Sequence, residues 1–357
     1  MSKREPKATS VTPDKHLGWI IYLPTPLIPY AELARINILF AIPLATYQTI
    51  LGVLYALAIL PPTPSSPQIL LASSALCLAS YLCHCAGCVW NDTVDQDLDR
   101  QTTRCKNRPV ARGEISTPSA TLYALSLIYL AYTPLAHFGL PFSSTCLRYA
   151  AAVALLTAGY PFTKRLTNYP QLWLGAGYAC AFLTAAQGIL DLYQNPGSTP
   201  GYTHTYPRTN PQPKTELFSS PHVTFSTTSL SAAILLLQSF FDILYALSDT
   251  EDDLRSGVGS MAVRYRFAIP QVLGVLLGLI IACLGVSGWS AGFRGVYFGL
   301  GVCGVWASLG GKVLGLMRVK LGIGRMGMGK EERGGWNIPV AVGCLMGGLG
   351  WEGTGRG

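Results

Sequence analysis

Long apolar runs, each closed by a short polar or charged segment, recur along the whole chain. They cover residues 36–60, 69–90, 118–138, 146–161, 170–190, 228–248, 268–289, 295–317 and 336–351. About 20 apolar residues in a helix cross a hydrocarbon core about 30 Å thick, and only the runs at 146–161 and 336–351 fall clearly short of that. The pattern predicts an all-α, polytopic membrane protein with about nine transmembrane helices. It also divides the chain into a polar, proline-containing segment over 1–30 and a single membrane domain over 31–351. Within that domain, residues 191–227 are rich in Pro, Ser, Thr and Tyr and lack periodicity, which predicts a long irregular loop. The stretch 310–357 is dense in glycine. Glycine offers a packing surface between membrane helices, yet the density exceeds what that role needs.

Composition agrees with the pattern. Half of the 357 residues are hydrophobic and 12% are charged, where soluble domains carry about a quarter. A net charge of +8 would point to nucleic acid only as a basic face on a soluble module. Here the charge lies between apolar runs, so the expected partner is a lipid bilayer and not nucleic acid. Arg100, Arg104, Lys106, Arg108 and Arg112 follow the second run, Lys164 and Arg165 the fourth, Arg255, Arg264 and Arg266 the sixth, and Arg318, Lys320, Arg325, Lys330 and Arg333 the eighth. The alternate connections carry little more than Arg208, Lys214 and Arg294. By the positive-inside rule the first group and the N-terminus face the cytosol, and 191–227 faces the other side.

Residues 1–30 carry no secretory signal, and Glu5, Asp14 and five prolines interrupt any amphipathic presequence. An endoplasmic reticulum or related endomembrane is therefore expected in preference to the mitochondrial inner membrane. The ten cysteines lie mostly inside apolar runs and suggest no disulfide framework. Cys83-His84-Cys85-Ala86-Gly87-Cys88, at the end of an apolar run, reads as packing and not as a zinc or haem site.

The acids are few but clustered. Asn91-Asp92-Thr93-Val94-Asp95-Gln96-Asp97-Leu98-Asp99 follows the second run, and Asp249-Thr250-Glu251-Asp252-Asp253 follows the sixth. On a helix Asp92, Asp95 and Asp99 stand at i, i+3 and i+7 and share one face; Asp249 and Asp253 stand at i and i+4, with Asp252 beside them. Like charges so placed repel unless a divalent cation neutralises them. Hard oxygen donors with open positions suit Mg²⁺, which keeps waters and takes phosphate oxygens. Both clusters fall on the expected cytosolic face, where they would hold Mg²⁺ around one diphosphate. Lys164 and Arg165, after Tyr160-Pro161, read equally well as donors for the charge that a leaving diphosphate develops and as topology signals. Arg104, Lys106, Arg318 and Arg325 read as topology signals.

At this point the residues carry a resemblance. Asn91-Asp92-x-x-Asp95-x-x-x-Asp99, with Ala86-Gly87-Cys88-Val89-Trp90 before it and Arg108-Pro109-Val110-Ala111-Arg112-Gly113 after it, resembles the first aspartate motif of the UbiA-type intramembrane aromatic prenyltransferases. Tyr245-Ala246-Leu247-Ser248-Asp249-Thr250-Glu251-Asp252-Asp253, followed by Gly257-Val258-Gly259-Ser260, is similar to that family's second motif, and Tyr160-Pro161-Phe162-Thr163-Lys164-Arg165 to its basic loop motif. Four motifs occur in the family's order between about Pro29 and Phe267. The resemblance implies helices around a central cavity open to lipid, capped by aspartate-bearing cytosolic loops. It implies Mg²⁺ on Asp92, Asp95, Asp99, Asp249, Asp252 and Asp253. Asn91, Arg108, Arg112, Lys164 and Arg165 would contact the diphosphate of a polyprenyl donor. Asp92, Asp95, Asp249, Asp253 and Lys164 would then support ionisation of the allylic C–O bond and capture of the cation by an aromatic carbon.

Two positions depart from the family pattern: His84-Cys85 stands where an Arg is common, and Arg35-Ile36-Asn37 replaces an Arg-x-Asp-Lys-Pro pattern. Pro29-Tyr30-Ala31-Glu32-Leu33-Ala34-Arg35 looks most like the fungal meroterpenoid-pathway members, which attach a farnesyl or similar chain to an aromatic polyketide or phenolic acid. The next nearest reading is the 4-hydroxybenzoate polyprenyltransferase of ubiquinone synthesis. A polytopic transporter is the reading from another class, but its acids belong near the midplane of broken helices, whereas these lie at helix ends.

Overall fold

The structure is a computed structural model of the chain and describes residues 17–38, 41–60, 67–137, 142–195, 217–218, 220–321 and 337–354. Two 3₁₀ turns, Gly18–Tyr22 and Thr25–Leu27, lead into α1 (Ile28–Leu33). Then follow α2 (Ala41–Ile59), α3 (Pro67–Val94), α4 (Gln96–Asp99), α5 (Thr117–His137), α6 (Ser144–Leu166) and α7 (Pro170–Gln194). The second half holds α8 (Pro221–Ala246), α9 (Thr250–Ser256), α10 (Met261–Arg264), α11 (Ile269–Ala291), α12 (Cys303–Lys320), entered through a π-turn at Tyr297–Val302, and α13 (Asn337–Thr354). No strand occurs among the described residues.

The protein is an all-α, multi-pass membrane protein. Length and apolarity single out six crossings, namely α3, α5, α7, α8, α11 and the stretch Tyr297–Lys320. The expected count of nine is therefore not carried by those two properties alone. On α5 the division between lipid and protein is plain: Ala120, Ala124, Leu127 and Ala131 are buried at helical spacing, while Leu122, Leu125, Tyr129 and Tyr132 are exposed. The buried stripe is mostly alanine because small residues let helices approach closely in lipid, where no hydrophobic force drives them together.

The core lies where α2, α7, α8 and α11 meet. Its largest members are Tyr47, Tyr55, Phe182, Phe240 and Tyr297. Each buried phenol has a partner, as an apolar interior requires: Tyr47 donates to Gln238 Oε1 at 3.1 Å, Tyr55 pairs with Thr227 Oγ1 at 2.9 Å, and Tyr297 donates to the Leu284 carbonyl at 3.1 Å.

Several boundaries differ from the sequence expectation, each for a local reason. Ser143 starts helix α6 by accepting from Cys146 N at 3.2 Å, and the helix runs on through Pro161 to Leu166, where Thr167 N donates to the Thr163 carbonyl at 2.9 Å, so Lys164 and Arg165 stand on a helical turn and not in a loop. Ser220 caps α8 in the same way, which makes residues from Pro221 helical although 191–227 was expected to be irregular. Residues 196–216 and 219 lie outside the described residues. Some glycines near the end serve packing, while Gly311, Gly315 and Gly343 meet nothing within 4 Å. Gly348 of α13 lies against Gly301 in the π-turn, backbone to backbone, and Gly304 faces Cys344.

Candidate active site

The C-terminal ends of α3, α6 and α8 meet at one end of the bundle, joined there by α4, the 100–116 segment and α9. Helix α3 continues through Val94, breaks at Asp95 and resumes as α4. The hydrogen-bond ladder survives the break, with Asp95 N on the Asn91 carbonyl at 2.9 Å and Asp99 N on the Asp95 carbonyl at 2.8 Å. Asp92, Asp95 and Asp99 therefore keep a common face, and all three are buried. Asp97 points away and its side chain is 59% exposed.

Every buried carboxylate of the first cluster meets a cation. Arg35 grips both oxygens of Asp92 at 2.7 and 2.9 Å, and Arg108 bridges Asp92 and Asp99, each at 2.9 Å. Lys164 donates to Asp95 Oδ2 at 2.6 Å and to Asn91 Oδ1 at 3.2 Å, while Arg165 reaches Asp95 Oδ1 at 2.9 Å and Asp97 at 2.6 Å. Arg35 sits at φ 62°, a conformation that costs a non-glycine residue free energy and is held here by this clamp.

The second cluster joins the first through the 100–116 segment. Arg104 donates from Nε to Asp249 Oδ1 at 2.9 Å, with its guanidinium 4.9 Å from the Tyr245 ring centre, and the Thr103 amide donates to Asp252 Oδ2 at 2.8 Å. That amide holds the Asp252 carboxyl below the usual carboxylate range. Gly257 caps α9 at φ 73°, and Gly259 donates from its amide to the Lys164 carbonyl at 2.8 Å. A side chain at Gly259 would collide with the Thr167 carbonyl, so the glycine lets the second cluster dock against the end of α6 that carries Lys164.

The carboxylates outnumber the cations. Asp253 forms no ion pair among the described residues, and burial, with Asp249 beside it, pushes its carboxyl up to about 6. Burial likewise pushes Asp99 up to about 6, although Arg108 pulls the other way. For Arg104 and Arg108 burial opposes the charge, and the facing aspartates more than offset it. No three His, Cys, Asp or Glu side chains converge as a closed metal cage among the described residues. Uncompensated carboxylates without such a cage fit a cation that takes one or two protein oxygens and fills its shell from water and phosphate, as Mg²⁺ does.

A model of the UbiA prenyltransferase family matches residues 49–318. The chain belongs to the UbiA prenyltransferase family. It is 30% identical over 332 residues to the prenyltransferase stbC of Stachybotrys bisbyi, covering 93% of this chain and 89% of that one. With the prenyltransferase ascA of Acremonium egyptiacum it shares 33% identity over 301 residues, covering 84% of this chain and 78% of the other. Among solved structures it resembles a UbiA homologue from Archaeoglobus fulgidus bound to GPP and Mg²⁺, with a TM-score of 0.55, 17% identity and coverage of 92% of this chain and 99% of that one.

As a prenyltransferase of this family, the chain brings together the site residues that its sequence singles out, except one. Arg112 pairs with Glu32 at 2.9 Å and with Glu114, and none of its contacts is an aspartate of either cluster. Arg112 therefore stands outside the ion pairs that tie the two aspartate clusters. Two residues enter unforeseen. Arg104, read as a topology signal, is the link between the clusters, and Arg35, read as a departure, clamps Asp92. A third is Asp242, a half-buried carboxylate near the end of α8, seven residues before Asp249. Seven-residue spacing from Asp249 was the available signal for it.

Proposed function

We propose that the chain transfers a polyprenyl group, farnesyl in the first instance, from its diphosphate to a carbon of a phenolic acid or aromatic polyketide, as in fungal meroterpenoid biosynthesis. The observation that carries this reading is the docking of both aspartate clusters at one end of the bundle, with Lys164, Arg165, Arg104 and Arg108 among them. An entering diphosphate would compete for those cations and release the carboxylates they now hold. Asp92, Asp95, Asp99, Asp249 and Asp253 would then hold Mg²⁺, with Asp252 fixing the loop between them. Bound Mg²⁺ supplies electrostatic stabilisation of the departing diphosphate.

The chain's own groups do the rest. Lys164, Arg165 and Arg108 donate to phosphate oxygens, and the helix ends position them before any charge develops. The apolar bundle beneath takes the prenyl tail and keeps water from the cation. The GPP and Mg²⁺ in the Archaeoglobus relative support the donor class and the ion. A membrane fraction carrying the protein, given Mg²⁺ and geranyl, farnesyl or geranylgeranyl diphosphate against a panel of phenolic acids, should yield C-prenylated product that EDTA abolishes. Absence of product across that panel would overturn the reading.

Two further expectations follow from charge. Asp99 and Asp253 are carboxylates above about pH 6 and protonated below it. Because burial raises them, each contributes stability that is present at low pH and lost as pH rises through about 6, unless a cation offsets the charge. Mg²⁺ should therefore raise the unfolding temperature more at pH 7.5 than at pH 5.5, read by thermal shift in detergent. An equal rise at both pH values would remove these two carboxylates from the ion. The second expectation is topological: on the endoplasmic reticulum or a related endomembrane, both aspartate segments face the cytosol. Cysteine-accessibility labelling that put the two on opposite faces would exclude a shared site.

A further inference from the structure

Where the ends of α8 and α12 meet the start of α11, an open groove of about 350 Å³ shares no residue with the diphosphate site. Its floor is apolar, with Leu247, Ile269, Leu316 and Val319, and its charged residues are Arg266 and Lys320, both exposed. Leu247 closes α8 two residues before Asp249, so the groove lies at the same end of the bundle as the aspartate clusters. Helix α11 has 23 residues and is about 35 Å long, enough to cross the hydrocarbon core. A groove at its first turn therefore stands at the depth of the lipid headgroups.

The two cations of the groove are unlike those of the site. Arg35, Arg104, Arg108, Lys164 and Arg165 all face carboxylates. Arg266 instead donates to the Val263 carbonyl at 3.3 Å, with its guanidinium 4.5 Å from the ring centre of Phe267, which is 77% exposed. Lys320 donates to the Phe267 carbonyl at 2.6 Å and to the Gln271 side-chain amide. These neutral partners orient the cations without neutralising them, and no carboxylate pairs with either among the described residues. Deeper in the membrane the surface of α12 stays flat. Gly311 and Gly315 stand two turns and one turn before Val319 on one face, both exposed, with nothing within 4 Å of where a side chain would begin.

We propose that the groove binds one anionic glycerophospholipid of the surrounding leaflet, with its phosphate between Arg266 and Lys320 and an acyl chain laid along Gly315 and Gly311. Three features select that occupant. Two cations without a carboxylate complement one phosphate. The apolar floor and the flat stripe beneath it take a chain, which a soluble phosphate lacks. Phe267 adds an exposed aromatic ring at headgroup level, where such rings anchor membrane proteins. Basic pockets between membrane helices hold anionic headgroups by the same logic, and each cation beside an anionic lipid strengthens binding on the order of fivefold. By the positive-inside expectation this is the cytosolic leaflet, which carries the anionic lipids. A lipid seated there ties the ends of α8, α11 and α12 together. Such a site needs only the membrane fold and stands apart from the reaction proposed above.

The test uses the full chain in detergent, titrated with dioleoyl phosphatidate and followed by native mass spectrometry and thermal unfolding. Phosphatidate should fill one saturable site about tenfold or more tightly than dioleoyl phosphatidylcholine, and should raise the unfolding temperature as it does so. Glycerol 3-phosphate, which has the phosphate without chains, should not displace it, and neither should farnesyl thiolodiphosphate. Arg266→Gln combined with Lys320→Gln removes both charges and should cost about twentyfold in phosphatidate affinity. Val319→Trp fills the floor with both charges in place and should abolish the tight site. Arg318→Gln, at the same helix end but outside the groove, should bind phosphatidate like the unaltered protein. Equal affinity for the two lipids, undiminished binding by Val319→Trp, or a loss with Arg318→Gln as large as with the double variant would leave only diffuse attraction to a basic surface and overturn the proposal. Displacement by glycerol 3-phosphate or by farnesyl thiolodiphosphate would give the groove to a soluble phosphate or to the donor, and would overturn it as well.

Discussion

Asp95→Asn is expected to cut prenyl transfer by on the order of a hundredfold or more, with Asp92→Asn, Asp249→Asn and Asp253→Asn impaired to a similar degree. Asparagine keeps the shape of aspartate and one coordinating oxygen, so the change removes charge and little else. At Asp95 the consequences are largest, because its 2% exposed side chain receives both Lys164 and Arg165. Losing that carboxylate weakens the divalent ion and also frees two cations from their resting positions. Double variants spanning the clusters, such as Asp92→Asn with Asp249→Asn, should fall short of multiplicative loss on the proposed reading, in which both clusters act on one diphosphate. Asp97→Asn is the control. Its side chain is exposed and meets only the outer arm of Arg165, at 2.6 Å, so the loss should be mild. Product formation at limiting Mg²⁺, with the donor intact throughout, decides the matter. Near-normal turnover by Asp92→Asn and Asp253→Asn would mean that these aspartates serve only the resting structure of the helix ends, Asp92 through its ion pairs with Arg35 and Arg108.

Much of this arrangement is legible in the sequence because membranes simplify the problem. Backbone groups in lipid must be satisfied within the segment, so an apolar run such as 69–90 can only be a helix. Charge asymmetry then sets which ends share a face, and the Asp252–Thr103 and Asp249–Arg104 contacts are where the two clusters physically meet. Side-chain pairing was harder to foresee. Arg104 and Arg112 flank the same motif with similar neighbours, yet one reaches Asp249 and the other turns to Glu32. The path of the 100–116 segment decides that, and no periodicity encodes the path. Arg35 was hidden for a different reason: its reach to Asp92 depends on a left-handed backbone turn after α1 that the sequence pattern does not announce. Helix ends were misjudged where caps mattered more than hydropathy, as at Ser143 and Ser220.

Replacing Lys164 by Ala should lower both kcat and kcat/KM by on the order of a hundredfold, with the protein still inserted and folded. The ammonium is half-buried and touches three groups, Asp95 at 2.6 Å, Asn91 at 3.2 Å and the Tyr160 ring. It is therefore placed before substrate arrives, which is the condition for strong electrostatic help at a developing charge. A topology signal would need only its charge near the membrane surface, so the two roles separate by experiment. Lys164→Arg keeps the charge but exchanges a compact ammonium for a broad fork, and it should leave insertion intact and restore turnover only in part. Arg165→Ala should cost less, because Arg165 is more exposed and divides its donors between Asp95 and Asp97. If Lys164→Ala turns over in detergent at the rate of the unaltered protein, Lys164 serves insertion alone. The charge on the leaving diphosphate would then be met by Arg108 and Arg104.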